Sequence, residues 1–262
     1  MRFEVIGSRE KPVILMMGWP FSTPACLRPA AEKLQDFCVI LPCWDGEDDS
    51  KVAFTGRQDQ AAQILSWLQQ QEIRQVAVLV GISMGAAVAM DLASLMEKTG
   101  MVQPGAILCD SGTFRRRGWI TRILRSMAVR HMMRLRKKGT EEEAVSAMLQ
   151  SRAVRLLTGR NAIAFLPLLT DMVHIADKLS GRTIRAQQKA CCTFDWPQLS
   201  EALERRTVFT YASDDPSRFA LRQLREQYPR AVYHTFGKLG HGGMVLRNTD
   251  SFVSLVRGLT LK

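Results

Sequence analysis

Apolar and polar positions divide the chain into two rhythms. Short, nearly continuous apolar runs recur at residues 13–17, 37–41, 76–80, 105–109 and 208–212, with further strand-like runs at 3–6 and 231–236. Runs of that length, rich in Val, Ile and Leu and lacking alternation, fit strands buried on both faces of a sheet. Between them the apolar spacing turns helical. Residues 58–71 carry Ala61, Ala62, Ile64, Leu65 and Leu68. Residues 24–34 read as a helix with Thr23 as N-cap and Pro24 at its first position. Helices are also predicted over 217–227 and 249–259. Strands 3–6 and 13–17 are joined by the polar turn Ser8-Arg9-Glu10-Lys11-Pro12.

From residue 114 to about 197 strand signals are scarce and the helical period dominates. Trp119, Ile123, Met127, His131 and Leu135 fall on one helical face. Further helices are predicted over 141–157, 165–179 and 183–192. Thr140 caps the first of these, with Glu143 three residues on to complete a capping box. Strands alternating with helices argue for a parallel sheet, interrupted by one helical insertion. The predicted organisation is an α/β core over 1–113 and 198–262, with a helical cap over 114–197.

Chemistry concentrates at residues 76–96. The apolar run there ends in Gly81-Ile82-Ser83-Met84-Gly85, and a small-residue helix with Ala86, Ala87, Ala89 and Ala93 follows. A strand, a tight turn and a close-packed helix give that pattern. A Cβ two positions either side of Ser83 would meet the neighbouring strand and helix, so glycine is required there. The turn holds Ser83 at the sheet's end, above a helix N-terminus that favours negative charge.

This stretch resembles the nucleophile elbow of the α/β-hydrolase superfamily. The resemblance implies an α/β-hydrolase fold, with a mostly parallel sheet flanked by helices and an inserted cap. It also implies a Ser, acid, His order along the chain. His241 lies in the Gly-rich loop after the last predicted strand, where the family places its base. Of the other histidines, His131 and His174 lie in predicted cap helices and His234 within a strand. The acid should follow strand 208–212, where Asp215 is favoured and Asp214 is its rival. Some family members draw the acid from the end of the strand after the elbow helix, which makes Asp110 a third candidate. The family's oxyanion hole maps onto the backbone N–H groups of Met84 and Trp19. Many relatives carry His-Gly before the second donor, whereas this chain has Met17-Gly18-Trp19-Pro20. That departure removes a side chain that usually organises the loop.

The resemblance implies a serine hydrolase that cleaves a carboxylic ester or thioester through an acyl-enzyme on Ser83. Serine at position 83 argues against dehalogenase and epoxide-hydrolase relatives, which use aspartate there. Two alternatives stand beside it. One is a cofactor-free perhydrolase, whose loop also tends to carry Gly-Trp-Pro. The other is a non-catalytic binding protein of the same fold. No metal site or dinucleotide fingerprint is visible, so no cofactor is expected.

Composition changes the picture in one place. The chain has 262 residues and is 46% hydrophobic, enough for one large domain with an inserted cap. Its six cysteines are scattered, with no C-x-x-C, and no apolar run would span a bilayer. The N-terminus lacks an apolar signal core, so a reduced, cytoplasmic protein is expected. The net charge is +11, but residues 114–138 hold ten Lys and Arg and no acid. The rest of the chain is nearly neutral. This basic segment has three readings, taken in order. It is a solvated cap helix, an entrance that attracts anionic acyl substrates, or a membrane-surface helix. Nucleic-acid binding is not expected, because no recognised module accompanies the charge. Met127, Met132, Met133, Met148 and Met172 make the cap rich in adaptable apolar side chains.

Overall fold

The computed structural model describes residues 1–48, 52–114, 126, 129–130, 132–133, 140–159 and 161–261. Seven strands form one sheet: β1 (Arg2–Ile6), β2 (Val13–Met17), β3 (Cys38–Cys43), β4 (Gln75–Ile82), β5 (Gln103–Asp110), β6 (Thr207–Ala212) and β7 (Val232–Phe236). Their order is β1-β3-β2-β4-β5-β6-β7. All neighbouring pairs are parallel except β1 with β3. This is the α/β-hydrolase architecture the sequence implies.

The continuous apolar runs are explained by burial on both faces. Ile14, Met16, Val78, Val80 and Leu108 enter one core. Leu15, Met17, Leu79, Ile107 and Cys109 enter the other. Helices Arg57–Gln70 and Met84–Thr99 cover the second face, and Thr249–Leu259 lies against the first. Among the described residues no helix is long and apolar enough to cross a membrane. All six cysteines are free, and Cys26, Cys38, Cys43 and Cys109 are buried.

Between β5 and β6 the described residues form only helical elements. These are Glu141–Gln150, Arg152–Thr158, the 3-10 turn Ala162–Phe165, Leu166–Ala176, Gly181–Cys192 and the short Glu201–Arg205. Thr140 and Glu143 make the expected capping box. These helices share a core with the sheet, since Met148, Phe165, Leu169 and Ile184 join the cluster that holds Ile14 and Val80. The predicted face Trp119, Ile123, Met127, His131 and Leu135 lies outside the described residues, as does most of the basic run.

In the sheet β3 lies between the first two strands and takes β1 antiparallel. Two local expectations are corrected. The helix predicted over 24–34 is a 3-10 turn, Pro24–Cys26, followed by Arg28–Glu32. The second proline, Pro29, lacks the N–H that a continuous helix would use, so a new helix starts around it. The helix predicted over 141–157 breaks at Ser151, whose extended backbone (φ −65°, ψ 130°) ends one helix while its carbonyl accepts from Arg155 N to start the next.

A buried ion pair ties the end of helix Gly181–Cys192 to the core. Arg57 Nε donates to Asp91 Oδ2 at 2.8 Å, and its Nη1 reaches the carbonyls of Ala190 and Thr193. Burial pushes the Asp91 carboxyl up, and Arg57 opposes that shift. Arg57→Met leaves Asp91 buried and unpaired, so it should cost about 3–5 kcal/mol in urea unfolding. The double variant Arg57→Met with Asp91→Leu should recover at least half of that loss.

Candidate active site

The elbow is built by a forced approach. Ser83 follows β4 with φ 57° and ψ −112°, outside the favoured regions for a residue with a side chain. A Cβ on Gly81 would stand 2.3 Å from Gly85 O, and one on Gly85 would stand 2.2 Å from Met17 O. Neither position tolerates a side chain, so helix Met84–Thr99 can begin directly against the ends of β4 and β2. Backbone bonds pin the turn. Ser83 N donates to Asp110 O at 2.9 Å, and Gly85 N to Gly18 O at 3.1 Å.

Three of the sequence-predicted side chains meet. His241 Nε2 lies 2.9 Å from Ser83 Oγ, and His241 Nδ1 lies 3.1 Å from Asp215 Oδ1. Asp215 follows β6 as the N-cap of the 3-10 turn Pro216–Ala220, accepting from Ser217 N at 2.7 Å. An ionised carboxylate only accepts hydrogen bonds, so Nδ1 carries the proton and Nε2 is left to accept from the Ser83 hydroxyl. All three residues are buried. Burial works against charge on His241, but the charge and hydrogen bond of Asp215 outweigh it and hold the imidazole pKa above its ordinary value. Burial likewise opposes charge on Asp215, yet His241 and Ser217 N hold its carboxyl below the usual range.

The rival carboxylates are occupied elsewhere. Asp214 Oδ1 accepts from Gly240 N at 2.9 Å, so it braces the histidine loop. Asp110 Oδ1 accepts from Thr210 Oγ1 at 2.7 Å and makes no hydrogen bond to His241 among the described residues. Burial pushes the Asp110 carboxyl up to about 7, the Thr210 bond opposes this, and the Asp215 charge adds to it. The histidine loop has two further anchors. His241 N donates to Leu157 O at 2.7 Å, and Gly242 N to Ser111 Oγ at 2.8 Å.

Met84 is the first residue of the elbow helix, and Trp19 follows Gly18 on the loop after β2. Neither N–H donates to a partner among the described residues. Trp19 is buried, and its carbonyl accepts from Trp44 Nε1 at 3.0 Å and Ser22 Oγ at 3.2 Å. These bonds brace the loop in place of the side chain it lacks. Sequence reasoning overlooked Ser217, whose Oγ lies 3.1 Å from His241 Nδ1. Its signal was its place two residues after Asp215.

A family model described as the alpha/beta hydrolase family matches residues 14–255. The chain belongs to that family. No curated protein matches it. Among solved structures it is similar to a thermophilic esterase from Thermogutta terrifontis (20% identity, TM-score 0.71, covering 99% of this chain and 93% of the other). It is also similar to a bromoperoxidase from Bacillus anthracis (15% identity, TM-score 0.72, covering 99% and 95%). An enol-lactonase from Burkholderia xenovorans LB400 is a third neighbour (14% identity, TM-score 0.67, covering 100% and 96%). At these identities the likeness is one of fold.

The electrostatics predict a titration. Followed by NMR, His241 should lose its proton at a pH above the ordinary value of about 6.5. In Asp215→Asn the partner charge is gone and burial dominates, so the pKa should fall below that value. An unchanged pKa in the variant would contradict the assignment of Asp215 as the charge that His241 feels.

Proposed function

We propose that this chain is a serine hydrolase that cleaves a carboxylic ester or thioester through an acyl-enzyme on Ser83. One observation carries the reading: the 2.9 Å contact between His241 Nε2 and Ser83 Oγ, with Asp215 behind the imidazole. A serine hydroxyl is a weak nucleophile until a base accepts its proton. In this mechanism His241 Nε2 takes that proton as Ser83 Oγ bonds to the substrate carbonyl carbon. The tetrahedral oxyanion is stabilised by the Met84 and Trp19 N–H groups, each contributing about 3 kcal/mol. The imidazolium then gives its proton to the departing alkoxide or thiolate, and the carbonyl re-forms on Ser83. Water repeats the sequence with His241 as base, releasing the acid and regenerating the serine. Asp215 stays ionised throughout and steadies the imidazolium.

Residues 1–113 and 198–262 form the catalytic core in this reading, and 114–197 form a cap that admits a small acyl substrate. The basic run within 114–138 favours an anionic one. A second reading, perhydrolysis, rests on Gly18-Trp19-Pro20. There hydrogen peroxide replaces water in the second step, so a peracid leaves in place of the acid.

A panel of p-nitrophenyl esters from acetyl to decanoyl, with acyl-CoA thioesters alongside, tests the function. Turnover of at least one ester is expected, and none on any would sink the reading. Asp215→Asn should lower kcat/KM by about 1000-fold or more. Asp214→Asn and Asp110→Asn should each stay within about 10-fold of wild type, because an amide preserves the acceptor each carboxylate presents. A larger loss in either than in Asp215→Asn would overturn the choice of acid.

A further inference from the structure

The loop after β2 carries strain that its own residues do not explain. Phe21 has φ 59°, a conformation that a bulky side chain rarely adopts and that persists only where the surroundings enforce it. What holds it comes from far away. Phe21 N donates to Gln187 Oε1 at 3.1 Å, across 166 positions of sequence. Gln187 Nε2 donates to Glu47 Oε1 at 2.8 Å, and the same oxygen accepts from Ser22 N at 3.3 Å. Gln187 belongs to the insertion helix Gly181–Cys192, and Glu47 to the loop after β3. Both side chains are buried. Burying a carboxyl and an amide together carries a large desolvation cost, and apolar side chains would pack the same space without it. A buried amide offers what they cannot, a donor and an acceptor on one rigid plane. Here that plane bridges a backbone N–H to a carboxyl.

The loop is also closed on itself, since Ser22 Oγ donates to Trp19 O. Fixing the N–H groups of Phe21 and Ser22 therefore also restrains the Trp19 carbonyl, on the same residue as the N–H in question. The Trp19 indole packs against the histidine loop, close enough that a Cβ on Gly242 would stand 2.6 Å from its Nε1. We propose that Gln187 and Glu47 are a positioning pair: a buried amide–carboxyl strut through which the insertion sets the Trp19 N–H beside Ser83. The catalytic consequence rests on the hydrolase reading above, while the anchoring of the loop does not. Neither residue touches the reacting atoms, and the pair replaces the support that the absent loop histidine would give.

The test uses the full chain and reads two quantities, p-nitrophenyl butyrate kinetics and deuterium exchange in the peptide spanning 18–25. Gln187→Met removes both ends of the strut. It should lower kcat by about 10–100-fold with KM within about threefold, since a misplaced oxyanion donor is felt in the transition state. It should also speed exchange at the loop. Glu47→Gln keeps one acceptor oxygen facing both Gln187 Nε2 and Ser22 N, so it should keep slow exchange and hold kcat within about fivefold of wild type. Unchanged loop exchange in Gln187→Met would overturn the proposal. So would a Glu47→Gln protein of wild-type thermal stability whose kcat falls as far as that of Gln187→Met. Absence of ester turnover by the wild-type chain would count against the hydrolase reading alone, because loop exchange still decides the anchoring.

Discussion

The structure depends on how closely the chain passes itself at the sheet's end. Helix Met84–Thr99 begins so near β2 that a side chain at Gly85 would stand 2.2 Å from Met17 O. That approach leaves Ser83 in a strained positive-φ conformation and brings the loop after β2 alongside it. Both candidate oxyanion donors follow from this crowding, because Met84 opens the helix and Trp19 follows Gly18, whose carbonyl takes the Gly85 N–H. Strain of this kind persists only where packing over-determines it. Here the buried C-terminal halves of β4 (78–82) and β5 (106–110), with Ser83 N bonded to Asp110 O, supply that determination.

The histidine side of the site is assembled differently. Its loop has no strand or long helix to fix it, so it hangs on single bonds from separated parts of the chain. Leu157 O, Asp214 and Ser111 each hold one backbone N–H of residues 240–242. One of these anchors, Leu157, belongs to the helices between β5 and β6, which also reach the loop after β2 through Gln187. The helices between β5 and β6 therefore touch both flanks of Ser83. A change in their packing would reach the site through backbone geometry as well as through substrate access.

Much of this was legible in the chain. Buried parallel strands advertise themselves as unbroken apolar runs, and 13–17 and 249–259 match the elements found. Ser83 stood out by its Gly-x-Ser-x-Gly turn, and Asp215 and His241 by the places after later strands that the family resemblance implies for acid and base. The helix breaks at Leu27 and Ser151 did not stand out, because short helices are set by packing more than by propensity. The pairing of β1 with β3 was hidden because a polar turn between two strands says nothing about which neighbour each takes. Gln187 and Glu47 were invisible for a deeper reason. A hydrogen bond spanning 140 positions leaves no periodicity or spacing behind, and only the fold brings its ends together.

The central claim is that Ser83 is an activated nucleophile. A fluorophosphonate probe applied to the folded chain, followed by peptide mapping, tests it most directly. The account predicts one adduct, on Ser83, lost when His241 is replaced by alanine. Folded wild-type protein that carries no adduct on Ser83 would contradict it.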